Sequence, residues 1–222
     1  MKKMFLGFII CCLSIAIFGC SDNQESKKIH KKTRKDNFKK VKIGSQIWMA
    51  ENMNVSTFRN EETIPMAQTE EEWKRAGKKK QPAWCYYEND KRNGDQYGKL
   101  YNYYALNDSR GFPPKGWHIP TDADWKKLEK FLGENPGFKM KSINGWFDKG
   151  NGTNESGFSG FPGGYRSSNG IFYFKGENGY WWIYNKTKSN DAVCCNLNLK
   201  YNFLIRRSVT KETGFSVRCV KD

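Results

Sequence analysis

The side chains that could perform acid–base chemistry are few in this chain. His118 is one of two histidines in the sequence, and it lies beside Trp117 just before a predicted helix. A histidine there could act as a general base, although a hydrogen-bonded structural role is more common. Glu51 and Asp124 are single carboxylates without a partner at a recognisable spacing. Because the sequence also lacks a Gly-x-Ser-x-Gly motif and a P-loop, we predict no catalytic residue.

Cysteines form a second group of reactive side chains. Four of them follow residue 41, at Cys85, Cys194, Cys195 and Cys219. They include no Cys-x-x-Cys pair, so we predict no metal site and no cofactor. In an oxidising compartment four cysteines could form disulfides in three complete pairings. A bond between the adjacent Cys194 and Cys195 would strain the backbone, so at least one of them is expected to reach Cys85 or Cys219, and the pairing stays open.

Six residues could bind a ligand by ring stacking or through a cation: Tyr165, Arg166, Tyr180, Trp181, Trp182 and Tyr184. The last four lie on one predicted strand, where successive side chains point to opposite faces. One face should pack in the core, and the other could be exposed and stack on sugar rings. Core packing is the more common role for any single ring, and the closing of a turn is the alternative role for Arg166.

Two capping boxes mark the elements that would position these side chains. Residues 69–72 (Thr-Glu-Glu-Glu) predict a short helix that ends at Gly77. Residues 121–124 (Thr-Asp-Ala-Asp) predict a longer helix, with its acids at the positive helix end. Its apolar stripe consists of Trp125, Leu128, Phe131 and Leu132.

Strands are predicted on both sides of this helical region. Alternation over residues 40–49 around Gly44-Ser45 predicts a hairpin with a type II′ turn, and Asn169-Gly170 predicts a second hairpin. Residues 177–179 should turn the chain into a strand at 180–184, and two last strands are expected near 202–208 and 214–220. The pattern indicates an α+β domain with two short helices, twisted antiparallel strands and long irregular loops.

The N-terminus has the pattern of a secretory signal. Lys2 and Lys3 precede an apolar run over residues 4–17 that ends just before Gly19-Cys20. The run is shorter than the roughly 20 apolar residues that a transmembrane helix needs. The cysteine after the small residue resembles the lipobox of bacterial lipoproteins, whose cysteine carries diacylglycerol. We therefore expect residues 1–19 to be a signal peptide and Cys20 to be the lipidated membrane anchor.

Residues 20–40 are basic and almost without apolar side chains. From residue 21 they hold eight Lys or Arg and three acids, which predicts a disordered tether. The tether supplies much of the net charge of +15, since residues 41–222 hold 28 basic and 20 acidic residues. A secreted lipoprotein meets lipids rather than genomes, so we predict no nucleic-acid partner. Ser21 after the anchor, with Asp22 and Glu25, resembles a surface-export signal and predicts the outer membrane, with the domain facing outward.

Six spaced motifs carry a family resemblance: residues 47–53 (IWMAENM), 97–102 (YGKLYN), 116–125 (GWHIPTDADW), 157–159 (GFS), 163–166 (GGYR) and 216–220 (SVRCV). Together they resemble the Fibrobacter succinogenes major paralogous domain, a secreted module of many lipoproteins, over nearly all of residues 41–222. The order of elements is also similar to C-type lectin-like folds, and the resemblance implies that architecture. Pro113 stands where relatives commonly have a cysteine, and the lectin calcium motifs Glu-Pro-Asn and Trp-Asn-Asp are missing.

The family resemblance implies no particular activity, so the function is predicted from location and side chains together. We expect an outer-membrane lipoprotein whose domain, residues 41–222, is a non-catalytic recognition module for a glycan or a protein partner. One alternative is an envelope-modifying enzyme with a site near His118, Glu51 or Asp124. The other is a structural or assembly subunit of the cell surface.

Overall fold

The computed structural model describes residues 38–185 and 191–222. The predicted signal peptide, Cys20 and the tether up to residue 37 lie outside the described residues. None of the helices within the described ranges is long and apolar enough to cross a membrane.

Strands of the described residues form three sheets. The strands are β1 (Lys40–Ile43), β2 (Gln46–Met49), β3 (Trp84–Cys85), β4 (Leu100–Tyr101), β5 (Trp117–His118), β6 (Gly163–Arg166), β7 (Phe172–Lys175), β8 (Asn178–Ile183), β9 (Asp191–Asn198), β10 (Ile205–Thr210) and β11 (Val220–Lys221). One sheet has the order β1-β2-β11-β5, a second has the order β10-β9-β8-β6-β7, and β3 pairs with β4.

Helices of the same residues are α1 (Glu70–Lys78), α2 (Lys91–Tyr97), α3 (Tyr103–Leu106), α4 (Asp122–Leu132) and α5 (Pro136–Met140), with a 3₁₀ turn at Tyr87–Asn89. The structure confirms the α+β class, but the expectation of two helices was too low. The three additional helices are four to seven residues long. Helices this short contain too few residues to show the helical repeat of apolar side chains, so the sequence pattern did not indicate them.

The predicted N-terminal hairpin is confirmed. Val41 faces Trp48 across β1 and β2, and Gly44 in the turn has a φ of 59°, which glycine adopts without steric cost. Val220 of β11 pairs with Trp48 on one side and with His118 on the other. The C-terminal strand therefore lies between β2 and β5 and fixes the position of His118.

The five-stranded sheet contains the strand that sequence reasoning missed. β9 is eight residues long and pairs antiparallel with β8 and β10 along most of its length. Trp182 faces Cys194, which in turn faces Arg207, so these three side chains share one face of the sheet. The strands were expected to be antiparallel, and β6 and β8 depart from this, because they meet in parallel through Gly164 and Gly179.

Both predicted capping boxes are present, at Thr69 of α1 and at Thr121 of α4. Helix α4 buries Trp125, Leu128 and Leu132 against the sheets, whereas Phe131 is 62% exposed. Phe131 was expected in the apolar stripe, but it lies at the solvent edge over the hairpin turn at Gly44.

Candidate functional site

A groove with a volume of about 600 Å³ opens on one face of the five-stranded sheet. Its base consists of aromatic side chains of β6 and β8, and β10 forms one side. The segment after β9, from Asn198 to Tyr201, forms the opposite rim. An aromatic base with polar groups at the rim is the usual composition of a site for a small organic ligand.

Tyr165, Tyr180 and Phe215 form the base of the groove. The ring centroids of Tyr165 and Tyr180 lie 5.2 Å apart edge to face, and Tyr180 stacks on Phe215 at 5.1 Å. Tyr165 also stacks on Tyr173 at 5.6 Å. Aromatic pairs at these separations are stabilising beyond their buried area, so the base is a rigid surface.

One rim of the groove carries an exposed aromatic pair. Tyr201 and Phe203 stack with centroids 5.2 Å apart, and they are 47% and 54% exposed. The segment that carries Tyr201 is held by Lys141, whose buried Nζ donates to the carbonyl oxygens of Asn198, Leu199 and Tyr201 at 3.3 Å each. Burial lowers the pKa of Lys141. A buried cation thus fixes the backbone under an exposed ring.

Asparagine side chains form the polar end of the groove. The side-chain oxygen of Asn178 accepts hydrogen bonds from Asn198 at 2.8 Å and from Asn196 at 3.2 Å. Asn178 and Asn198 line the groove, and Asn196 lies beneath them, fully buried. Because these bonds orient the amides, the groups at this end of the groove are positioned before any ligand arrives.

Two adjacent arginines on β10 have opposite surroundings. Arg206 points to the face covered by α4, where its guanidinium donates to Glu129 at 2.5 and 2.8 Å and to Asp122 at 3.1 Å. Arg207 points into the groove and is exposed. Within residues 38–185 and 191–222, its guanidinium has no ion-pair or hydrogen-bond partner. The two other charged residues that line the groove are Glu177 and Lys200.

The structure places the aromatic candidates of β8 differently from the expectation. Tyr180, Trp181 and Trp182 are all buried, so the exposed aromatic face that the alternation suggested is absent from this strand. Trp181 packs among Trp125 and Phe158, on the side of α4. Trp182 packs on the other side, and only Tyr180 reaches the groove. The strand is covered on both faces because the C-terminal segment packs over its second face.

Arg166 and Tyr184 also lie away from the groove. Arg166 is buried and donates to the carbonyl oxygens of Ala67, Thr69 and Gly170 at 2.7 to 2.9 Å, so it has the turn-closing role. Tyr184 is half-buried and lines a separate cavity of about 390 Å³ beside His118.

His118 contacts two carboxylates. Its Nδ1 lies 2.8 Å from Asp222 and its Nε2 lies 3.3 Å from Asp124. The same Asp124 oxygen accepts from the backbone and side chain of Thr121 at 2.9 and 2.6 Å. Both ring nitrogens of His118 therefore already contact a carboxylate of the domain. Glu51 pairs with Lys39 at 2.5 Å and contacts neither His118 nor Asp124.

The four cysteines are free and buried in the structure, so the expected disulfides are not formed. Cys194 and Cys219 lie in one apolar cluster, while Cys195 and Cys85 lie in two others. Burial raises the pKa of Cys85 and of Cys194 to about 12. Residues 38–185 and 191–222 contain no group of three or more His, Cys, Asp or Glu that could hold a metal ion.

Comparison with known proteins identifies the domain. The model of the Fibrobacter succinogenes major domain matches residues 41–221. The chain belongs to this family. The match confirms the resemblance drawn from the six motifs, and it spans all the elements that build the groove. Searches of curated proteins and of solved structures returned no match.

Part of this groove was predicted from the sequence. Tyr165 and Tyr180 were candidates for their ring chemistry, whereas Tyr201, Asn178 and Arg207 were not. The alternation of residues 205–210 was the available signal for Arg207, because it places that side chain and Val209 on one face of a strand.

Proposed function

We propose that this chain is a non-catalytic recognition module whose groove binds a glycan. The observation that carries the proposal is the combination of an aromatic base, an exposed aromatic rim at Tyr201 and oriented amides at Asn178 and Asn198. A sugar ring has apolar C–H faces that pack on aromatic rings, and its hydroxyls need amide or charged partners. The groove offers both kinds of surface at adjacent positions.

We also propose that the module is attached to the outer membrane through a lipidated Cys20 and faces outward. The signal pattern of residues 1–19 and the residues after Cys20 support this location. The basic tether would let the domain reach glycans near the membrane surface. For the architecture we propose a C-type lectin-like fold, which the order of hairpin, helix α4 and glycine-rich strands supports.

An enzyme acting through His118 has less support. Both nitrogens of that ring face carboxylate oxygens, and Asp124 caps α4. A general base needs a free nitrogen within hydrogen-bond reach of its substrate. A recognition role for the groove requires no such group.

A glycan array probed with the purified full chain tests the proposed function, followed by titration of the best glycan. Tyr201→Ala removes an exposed ring of the groove and should weaken binding roughly 10-fold, equal to about 1.4 kcal/mol. Phe131→Ala is the matched control, because it removes another exposed aromatic ring, on α4 and outside the groove. No binding across the array, or equal losses in the two variants, would contradict the proposal.

A further inference from the structure

Three hydrogen-bond donors line the groove. They are the guanidinium of Arg207 and the hydroxyls of Tyr165 and Tyr180. Arg207 faces Cys194 and Trp182 in the sheet, so its backbone lies two residues along the strands from Tyr180, or about 7 Å, and two strands across, or about 10 Å. The positive charge of Arg207 acts on both tyrosines, and it opposes the larger effect of burial, which raises the pKa of each. Both hydroxyls therefore remain donors.

No acceptor of the described residues occupies these donors. Neither tyrosine hydroxyl has a hydrogen bond, and Arg207 has no ion pair, anywhere in residues 38–185 and 191–222. Tyr180 is only 7% exposed, so its hydroxyl is the polar end of a buried side chain directed into the groove. The Tyr180 hydroxyl is not among the buried polar atoms that lack a partner, so it meets solvent in the groove, and a ligand acceptor there would replace a water.

Arg206 shows what an arginine of this sheet does when a carboxylate is within reach. It binds Glu129 with two parallel hydrogen bonds and reaches Asp122 with a third. Paired donors of a guanidinium match the two oxygens of a carboxylate or a sulfate. Arg207 carries the same fork, but the structure gives it no such group.

The acid of the groove lies at the opposite end. Glu177 precedes Asn178 and is five residues before Trp182, so it lies about 16 Å from the row of Arg207 along the strands. Lys200 lies near that end as well, since Leu199 donates to the carbonyl oxygen of Glu177 at 2.9 Å. A ligand anion beside Arg207 would therefore lie closer to that cation than to Glu177, although the charge of Glu177 also acts on Tyr180.

We infer that the groove selects an acidic sugar, whose carboxylate or sulfate group binds Arg207, Tyr165 and Tyr180 while its ring packs on the aromatic base. The inference rests on the proposed glycan-binding function and adds the chemical class of the ligand. It also gives the groove a direction, because the anionic end of the ligand would lie toward β10 and its hydroxyls toward Asn178 and Asn198.

Two matched probe pairs test the inference on the purified full chain. The first pair is an oligogalacturonate and its full methyl ester, and the second is a sulfated dextran oligosaccharide and the parent dextran. At least one acidic probe should bind about 10-fold more tightly than its neutral counterpart, since charge-assisted pairs are roughly twice as strong as neutral hydrogen bonds. The member that binds identifies the anion as carboxylate or sulfate.

Variants separate a specific site from general attraction to a basic protein. Arg207→Gln should abolish the preference for the acid, so that the acidic and neutral probes bind with similar affinity. Tyr180→Phe should weaken binding of the acidic probe by a few-fold. Arg92→Gln removes the same charge at an exposed position outside the groove and should change nothing.

Equal affinities for acidic and neutral probes would overturn the inference and leave the proposed function standing. Equal losses in Arg207→Gln and Arg92→Gln would overturn it too, because the preference would then come from net charge. If neither acidic probe binds while a neutral glycan of the array does, the inference also fails. Absence of binding to any glycan would overturn the proposed function itself.

Discussion

The two faces of the five-stranded sheet are built from alternate residues of the same strands, yet their surroundings differ. On one face Trp181, Cys195 and Arg206 lie under α4, and the charged group of Arg206 is matched by acids of that helix. On the other face Tyr180 and Arg207 line the groove, and their polar groups have no partner within the described residues. Two adjacent residues of one strand can therefore differ in role: one is paired within the protein, and the next has its polar group free in the groove.

The polar groups of the two faces differ in what they contribute to the free energy of folding. Polar groups on the α4 face are satisfied within the protein, so they contribute to stability. On the groove face, Arg207 and the hydroxyl of Tyr180 have no partner within residues 38–185 and 191–222. Substitution of Arg206 should therefore lower the free energy of unfolding, whereas substitution of Arg207 should change binding.

Trp181→Ala should produce the largest loss of stability. The ring is buried between Trp125 and Phe158, and its Nε1 donates to Asn52 at 2.8 Å. Removal of a buried tryptophan costs about 3–5 kcal/mol. Urea unfolding measures the change, with Tyr201→Ala as the groove-face counterpart, for which we expect less than about 0.5 kcal/mol. Similar losses in the two variants would remove the contrast between the faces.

The adjacent arginines give a finer comparison. Arg206→Gln leaves Glu129 and Asp122 without their shared cation, and the free energy of unfolding should fall by about 1–2 kcal/mol. Arg207→Gln removes no partner, so its stability should stay within about 0.5 kcal/mol of the parent. Chemical denaturation of both variants at low and high salt tests this. A larger loss for Arg207→Gln would mean that its side chain is structural.

Asp124 lies in the first turn of α4, the helix that covers the face of the sheet with Arg206. Burial alone would raise its pKa, but hydrogen bonds from Thr121 and the nearby His118 outweigh burial, so the pKa is lowered. A lowered folded-state pKa stabilises the protein above the unfolded value of about 4, and this contribution is lost as pH falls through the folded value.

The variant Asp124→Asn should therefore be less stable than the parent by about 1 kcal/mol at pH 7. The difference should shrink as the pH is lowered below about 4. Thermal unfolding across this range measures it. If the stability difference between Asp124→Asn and the parent stays constant with pH, the shape of the Asp124 side chain rather than its charge stabilises the start of α4.

Local features of this fold were predictable from sequence. Thr69 and Thr121 begin helices because their side chains accept from backbone N–H groups three residues later, and all the atoms involved are close in sequence. Gly44 forms the hairpin turn for a similar local reason. The six motifs identified the family because several spaced motifs together are far more specific than one.

Features that depend on tertiary structure were not predictable. Residues 191–198 include the polar residues Asp191, Asn196 and Asn198, and they form a strand because β8 and β10 pair with them on both sides. The burial of Trp182 requires the C-terminal segment that carries Phe215, whose ring lies 4.7 Å away. The groove combines side chains from β6, β8 and β10, and no sequence spacing indicates that Arg207 lies near Tyr165.

The thiols of the adjacent residues Cys194 and Cys195 can be used to measure how often this sheet opens locally. Both are fully buried and burial raises the pKa of each, so a thiol reagent can react only after the strand loses its cover. Cys194 faces the cluster below the groove, whereas Cys195 faces the cluster below α4. Equal labelling rates would mean that both layers open in one step. A faster rate at Cys194 would mean that the layer beneath the groove opens on its own while the α4 side stays closed.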